Sequence, residues 1–240
     1  CLQWEKEMRN EGIISASMMC EDLVHLTEDI RIFEEESMDY LHIDVMDGDF
    51  TPNLGLGVDY IRGLRGLTDI PLDLHLMIER PEEKYDWFGI RKNDIVTIHF
   101  ESTVHIERAV EKLGSFGCKV FLAINPGTPV YSCEELLDSV DGISLLCVNP
   151  GFAGQPIVKG SFNKMKRLRE FLDERGYGGL EVEVDGNISN ENAGRMRELG
   201  ADIFVAGSSS IFKKNGKTLR ENIRSLRASI GAAGLPYSEC

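Results

Sequence analysis

Residues 40–46 read YLHIDVM, and residues 70–78 read IPLDLHLMI. In both, polar and apolar side chains alternate with a period of two, which is typical of a β-strand. Further short apolar runs recur along the chain, and each is followed by a polar stretch. The other predicted strands are IISASMM (13–19), DIVTIHF (94–100), KVFLAIN (119–125), GISLLCVN (142–149), LEVEVDG (180–186) and DIFVAG (202–207).

The segments between and after these strands carry the i, i+3, i+4 apolar spacing of amphipathic helices. Repeated strand–helix units imply parallel pairing with right-handed crossovers. Eight units in roughly 220 residues fit a single α/β (β/α)₈ TIM barrel better than an open doubly wound sheet. No low-complexity linker divides the chain, so we predict one domain over 1–240, with the barrel at about 13–230 and loose ends. The predicted helices are 23–36, 58–67, 81–90, 104–116, 132–140, 162–176, 190–200 and 218–230.

The composition excludes several classes of protein. The 240 residues carry a formal net charge of −14, with 26 Lys and Arg against 40 Asp and Glu, which argues against a nucleic-acid partner. No run approaches about 18 consecutive apolar residues, and the first residues do not show the basic segment followed by an apolar segment that is typical of a signal peptide. We therefore predict a cytoplasmic protein with no membrane partner.

Six cysteines occur without a CxxC pair or clustered spacing, so reduced thiols are expected. Cys1 and Cys240 fall in the predicted loose ends. Cys20 and Cys147 lie at the ends of apolar runs and are predicted to be small core residues rather than nucleophiles.

Polar side chains at the predicted strands indicate a site. The period of two places His42, Asp44 and Met46 on one face of the second strand and points His75 inward on the third. Asp185 lies at the end of the seventh strand. A single His there is usually a hydrogen-bonded core residue, and a single Asp often caps a helix. Four such groups together are costly to bury unpartnered, and two imidazoles with two carboxylates suit Zn²⁺, Fe²⁺, Mn²⁺ or Co²⁺. We predict one divalent metal site, with Zn²⁺ as the first expectation.

Glycine-rich turns follow the last three strands, at residues 149–156, 185–187 and 206–209. Glycine lets a backbone approach a ligand closely and expose its N–H groups. In barrels of this type, phosphate commonly lies at the loops after strands seven and eight. Each turn alone is weak evidence, but all three together predict a phosphate-binding site.

These segments, taken together, resemble the ribulose-phosphate 3-epimerase family of (β/α)₈ barrels. The resemblance runs in order from about residue 13 to 230. It rests on Ser17-Met18-Met19, HIDVMDGDFTPN (42–53), PLDLHLM (71–77), INPGTP (124–129), VNPGFAGQ (148–155), EVDGN (183–187) and VAGSS (205–209).

The resemblance implies a carbohydrate-phosphate 3-epimerase, an isomerase that inverts C3 of a ketose phosphate through a cis-enediolate and assembles as a homo-oligomer. The divalent ion would act as a Lewis acid, held by His42, Asp44, His75 and Asp185. Asp44 and Asp185 would also exchange protons on opposite faces of the sugar. The substrate-binding residues would be Ser17, His75, the apolar Met46, Met77 and Met19, the loop residues Gly151, Phe152, Ala153 and Gly154, and the phosphate-turn residues Gly186, Asn187, Gly207 and Ser208.

Three departures bear on the substrate. Ribulose-5-phosphate 3-epimerases usually have a glycine where this chain has Ala153, a second glycine at Asn187, and SILSAD-like residues at 17–22. The forms found here look more like D-allulose-6-phosphate 3-epimerases, which interconvert allulose 6-phosphate and fructose 6-phosphate. We lean toward that hexulose substrate, with the ribulose 5-phosphate to xylulose 5-phosphate reaction as the alternative. One carbon changes binding by only about 1–3 kcal/mol, so both activities are compatible with one site.

Two other classes compete with an epimerase. A related sugar-phosphate decarboxylase would use a Lys beside acidic residues, and the second and third strands offer His instead. A non-catalytic sugar-phosphate or metal-binding barrel would lack a proton-exchanging carboxylate, and both Asp44 and Asp185 are present. Two further histidines, His99 and His105, are predicted to be structural or solvent-facing, and His25 is predicted to lie on a helix; none of the three is assigned a chemical role.

Overall fold

The eight predicted strands close into one parallel barrel in the order β1 to β8, with β8 paired to β1. The structure is a computed structural model that describes residues 12–22 and 24–231. The predicted TIM barrel is therefore confirmed. The strands are β1 Ile13–Ser17, β2 Tyr40–Met46, β3 Leu72–Met77, β4 Ile95–His99, β5 Lys119–Ile124, β6 Gly142–Leu146, β7 Glu181–Asp185 and β8 Ile203–Ala206.

The register of β2 against β3 brings their polar residues together. His42 pairs with Asp73, Asp44 with His75, and Met46 with Met77. Each strand therefore offers a carboxylate beside the imidazole of its neighbour. This register places a polar column inside the barrel, while Leu41, Ile43 and the apolar residues of the other face pack against the helices.

The α-helices lie outside the barrel and follow the predicted amphipathic segments, with buried residues on one face. They are α1 Leu26–Glu35, α2 Val58–Leu64, α3 Ile106–Gly114, α4 Ser161–Glu174, α5 Asn190–Glu198 and α6 Leu219–Gly231.

Two predicted helices are wrong in type. Residues 81–90 form two 3₁₀ turns, Pro81–Glu83 and Tyr85–Trp87, because left-handed backbone at Arg80 and Gly89 confines the segment at both ends. The predicted helix 132–140 is a 3₁₀ helix instead, Val130–Ser139, and ends before the extended Val140. The three-residue spacing of its buried Cys133 and Leu136 matches the 3₁₀ repeat.

Cys147 is fully buried in the core, as predicted, whereas Cys20 is only half-buried. Cys1 and Cys240 lie outside the described residues, as do the predicted loose ends. Within the described ranges, no helix combines the length and apolar character needed to cross a bilayer. The homo-oligomer and the cytoplasmic location stay predictions.

Candidate active site

Four side chains from three strands meet inside the barrel near the carboxyl ends of the strands. Nε2 of His42 lies 3.3 Å from Oδ1 of Asp44 and 4.0 Å from Oδ2 of Asp185. Nδ1 of His75 lies 3.4 Å from Oδ1 of Asp44 and 3.5 Å from Oδ2 of Asp185. One ligand atom from each of the four lies within 4.8 Å of the others. Strand register thus brings together residues that are up to 143 positions apart in the chain.

These atoms suit a divalent cation. Nε2 of His42 and Nδ1 of His75 are buried, and neither makes a hydrogen bond to any part of the chain that the structure describes. Two unpaired imidazole nitrogens facing two carboxylates are costly without a partner and are ordinary ligands of Zn²⁺ or Fe²⁺. The residues present therefore fit the predicted ion, whose identity stays a prediction.

Charge attraction governs the protonation of this cluster. Burial lowers the pKa of His42, but Asp73 and Asp44 outweigh burial and raise that pKa well above its usual value. Burial raises the pKa of Asp44, but His42 and His75 outweigh it and hold that pKa well below its usual range. A cation must compete with the imidazole protons, so its binding is expected to strengthen as pH rises.

A second polar network lies deeper in the barrel and orients His42. Nδ1 of His42 lies 2.6 Å from Oδ2 of Asp73, which also accepts a 2.8 Å hydrogen bond from the Ser15 hydroxyl. Next to it, the Ser144 hydroxyl donates to Glu183 at 2.7 Å. Burial and the neighbouring Asp73 raise the pKa of Glu183 well above its usual value. The network lies beneath the site and fixes the orientation of the His42 ring.

His99 is completely buried, which agrees with the structural alternative of its prediction, and it directly contacts His75 of the site. Its Nε2 lies 2.8 Å from Nε2 of His75, and Phe50 packs on its other side with ring centroids 4.7 Å apart. Burial lowers the pKa of His99 to about 4, so the ring is neutral at pH 7. Inward alternation on β4 was the signal in the sequence that could have found it. His105 is exposed, which is one of its two predicted alternatives, and His25 is exposed and lies just before α1 instead of on a helix.

A cavity opens above the cluster at the carboxyl end of the barrel, with Asp44 and Asp185 on its wall. Most of the predicted substrate-binding residues line it. Two of them do not. The side chain of Met46 is buried and packs under the following loop against Gly55, and His75 is fully buried below the cavity. The predicted residues on the wall are Ser17, Met19, Met77, Gly151, Phe152, Ala153, Gly154, Gly186, Asn187, Gly207 and Ser208.

Side-chain amides hold the loop after β6 over this cavity. Asn53 donates to the carbonyl of Gly151 at 2.7 Å, and Gln155 donates to the carbonyls of Asn149 and Phe152 at 2.6 and 2.9 Å. Phe152 remains half exposed at the tip of the loop. The loop is therefore fixed at its sides and open at its tip.

Asn187 ties this loop to the turn after β7. Its backbone is left-handed at φ +55°, and its Nδ2 donates to the carbonyl of Gln155 at 2.7 Å. This amide N–H is thus committed to the loop. The side chain that replaces the family's glycine therefore serves as a link between two loops.

The glycine turns leave little space for side chains. A Cβ on Gly186, whose φ is +106°, would lie 2.6 Å from Cγ2 of Val148. A Cβ on Gly207 would lie 3.1 Å from Sγ of Cys20. Cys20 thus lines the cavity and is not the core residue that its sequence position predicts. Gly186 is required at its turn by both its left-handed backbone and this contact, whereas a side chain at Gly207 would have to displace Cys20 slightly.

The closed barrel resembles solved TIM-barrel enzymes in fold. KGPDC from Streptococcus mutans superposes with a TM-score of 0.67 at 14% identity, covering 93% of this chain and 99% of that one. Phosphoribosyl anthranilate isomerase from Thermus thermophilus gives a TM-score of 0.61 at 16% identity, covering 92% of this chain and 100% of that one. At these identities the likeness concerns the fold alone.

Sequence relatives are closer. The chloroplastic ribulose-5-phosphate-3-epimerase of Arabidopsis thaliana is 38% identical, covering 92% of this chain and 78% of the relative. Ribulose-phosphate 3-epimerases of Bacillus subtilis and Escherichia coli K12 are 36% and 34% identical, covering 88% and 91% of this chain and 97% of each relative. The sequence profile of the Ribulose-phosphate 3 epimerase family matches residues 13–212. The chain therefore belongs to the ribulose-phosphate 3-epimerase family, whose members are carbohydrate-phosphate isomerases.

Proposed function

We propose that this chain interconverts D-ribulose 5-phosphate and D-xylulose 5-phosphate by inverting C3. The observation that carries the proposal is that Asp44 and Asp185 line one cavity and meet two unpaired imidazole nitrogens beneath it. The lean toward a hexulose phosphate gains no support from the relatives, which are named for ribulose phosphate. They favour the alternative, and we adopt it.

His42, Asp44, His75 and Asp185 would hold one divalent ion. When bound, the ion supplies Lewis-acid stabilisation of the negative charge that develops on the substrate oxygens. The chain prepares this arrangement before the substrate arrives, because Asp73 and His99 contact the outer nitrogens of the two histidines. Their rings are therefore already oriented toward the site.

The two carboxylates divide the proton transfer. Asp44 comes from β2 and Asp185 from β7, so they approach the cavity from different strands. Inversion at one carbon requires a base on one face of the sugar and an acid on the other. One carboxylate would remove the C3 proton and the other would deliver a proton to the opposite face, with the roles exchanged in the reverse reaction.

The upper part of the cavity suits the rest of the substrate. Gly186 and Gly207 bring the turns after β7 and β8 to its wall, where close backbone N–H groups would bind the phosphate. Met77 and Met19 supply apolar wall, and the hydroxyl of Ser17 lies 3.4 Å from Oδ2 of Asp44. The loop 149–155 would cover the sugar and exclude water that could misprotonate the intermediate.

The experiment is proton NMR in deuterium oxide on the metal-loaded protein, with ribulose 5-phosphate and allulose 6-phosphate supplied separately. We expect inversion and deuterium incorporation at C3, with a higher kcat/KM for ribulose 5-phosphate. A higher value for allulose 6-phosphate would assign the hexulose reaction instead. Absence of exchange with either sugar, in protein shown to contain metal, would overturn the epimerase proposal.

A further inference from the structure

A chain of three buried or partly buried side chains leads away from the site on the side of His75. Nε2 of His75 and Nε2 of His99 lie 2.8 Å apart, and both rings are fully buried and nearly parallel, with an interplanar angle of 18° and centroids 5.0 Å apart. Only one hydrogen fits between two nitrogens at this distance. One ring therefore donates and the other accepts.

The second nitrogen of His99 faces Glu101. Nδ1 of His99 lies 3.4 Å from Oε2 of Glu101, which is an ion-pair distance and not a formed hydrogen bond, and neither atom has a hydrogen-bond partner within the described ranges. The other carboxylate oxygen of Glu101 accepts from the backbone N–H of Asn125 at 3.1 Å and from the hydroxyl of Thr128. The loop after β5 thus fixes the carboxylate with one oxygen directed at His99.

These contacts admit one consistent set of hydrogens if His75 is to act as a metal ligand. The carboxylate of Glu101 can only accept, so Nδ1 of His99 carries the hydrogen and its Nε2 has the lone pair. His75 must then donate from Nε2, which leaves the lone pair on Nδ1, the atom that faces Asp44 and Asp185. The contact with Glu101 thus determines which nitrogen of His99 carries the hydrogen, and His99 in turn determines which nitrogen of His75 carries it.

We propose that Glu101 is a positioning residue that, through His99, sets the tautomer of His75 and so prepares its Nδ1 to bind the metal. This inference rests on the metal site of the proposed function. It gives the two histidines of the site parallel support, because Asp73 contacts Nδ1 of His42 directly, whereas Glu101 reaches His75 through an intervening imidazole. Outer partners of metal-binding histidines orient the ring and fix its tautomer in this way.

The first test uses the intact wild-type protein loaded with Zn²⁺. Long-range ¹H–¹⁵N NMR of ¹⁵N-histidine-labelled protein identifies which ring nitrogen carries hydrogen. We expect His99 protonated at Nδ1 and bare at Nε2, and His75 protonated at Nε2. A His99 ring protonated at Nε2 would overturn the proposal. This measurement requires no variant, so it decides the matter even if a substitution prevents folding.

The second test is Glu101→Gln, which keeps the shape of the side chain. With the amide oxygen held by Asn125 and Thr128, the NH₂ group of the new glutamine would face Nδ1 of His99 and donate to it. His99 would then carry its hydrogen on Nε2 and donate to Nε2 of His75. The hydrogen of His75 would therefore lie on Nδ1, the atom that faces the metal site. Calorimetry is expected to show Zn²⁺ affinity reduced about 10- to 100-fold. NMR should show the reversed His99 tautomer.

The matched control is Glu82→Gln. Glu82 is also partly buried and accepts from a threonine hydroxyl, that of Thr103 at 2.8 Å, but it does not contact the two histidines. Wild-type Zn²⁺ affinity is expected for this control. Unchanged affinity in Glu101→Gln, or an equal loss in both variants, would overturn the inference. Wild-type protein that binds none of Zn²⁺, Mn²⁺, Co²⁺ and Fe²⁺ would overturn the proposed function as well, and this result is seen before any variant is compared.

Discussion

Nδ1 of His42 lies 2.6 Å from Oδ2 of Asp73, and this contact points the opposite nitrogen of the ring toward the site. Both side chains are completely buried. Charge-assisted hydrogen bonds of this length are among the strong ones, so the ring is fixed before any ligand arrives. The proposed metal site is therefore preorganised, and its occupancy should affect both stability and activity.

Removal of the metal with a chelator is expected to abolish C3 exchange, and Zn²⁺, Mn²⁺, Co²⁺ or Fe²⁺ should restore it. A ligand at about 100 times its dissociation constant stabilises the fold by about 2.7 kcal/mol, which for a chain of this size raises Tm by roughly 5–10 °C. Differential scanning calorimetry with and without chelator measures this shift. An identical Tm and full activity after verified metal removal would contradict the site.

Substitution of either carboxylate is expected to stop the reaction. Asp44→Asn and Asp185→Asn each remove a group that must accept or donate a proton, and loss of such a group lowers kcat by about 10²- to 10⁴-fold. Deuterium incorporation at C3 measures the loss, and circular dichroism checks the fold. Asp49→Asn, at an exposed neighbouring position, is the control. Either variant with a near-wild-type rate would remove that residue from the proton transfer.

Asn187→Gly tests the link between the turn after β7 and the cavity loop. The variant loses the hydrogen bond from Nδ2 to the carbonyl of Gln155 but relieves a left-handed backbone at a non-glycine residue. These two effects on stability are each about 1 kcal/mol and opposite in sign, so Tm should change little.

The binding of substrate by Asn187→Gly should change more than its stability. A less restrained loop is expected to raise KM about 2- to 10-fold while kcat stays close to wild type, in proportion to one lost hydrogen bond. Asn53→Ala removes a separate contact to the same loop, at Gly151, and should act in the same direction. Steady-state kinetics of both variants measures this. An unchanged KM in both would show that the loop needs neither link.

Glu36 joins the end of α1 to α6 and should make stability depend on pH. Hydrogen bonds from Arg224 and Arg220 lower the pKa of Glu36 to about 2. A carboxyl with a lowered pKa stabilises the fold above its unfolded pKa of about 4.3, and this contribution is lost as pH falls toward 2. Glu36→Gln should therefore be less stable than wild type at pH 7, and the difference should shrink below pH 4.

Urea unfolding at pH 7, 4 and 3 measures this dependence. Glu111→Gln, at an exposed position on α3, is the control and should match wild type throughout. A constant difference between Glu36→Gln and wild type at all three pH values would contradict the assignment of Glu36 as the titrating group.

Much of the site could be predicted from the sequence because its key residues lie on strands. The period of two decides which face a side chain takes, and it placed His42, Asp44 and His75 inside the barrel and Asp185 at a strand end. The glycine turns at 185–187 and 206–209 were recognised for a similar local reason, because close backbone approach requires glycine. The family resemblance then extended these local patterns to a reaction.

The sequence by itself determined the (β/α)₈ order and the inward polar residues, since both follow from residue types and their local spacing, and its motifs resemble those of the epimerase family. Only the tertiary structure decided that His99 contacts His75, that Glu101 faces His99, that Asn187 is bound to Gln155, and that Met46 leaves the cavity wall. These contacts join residues from different strands and loops. Their distances depend on strand register and barrel closure, which involve the whole chain and not any local run of residues.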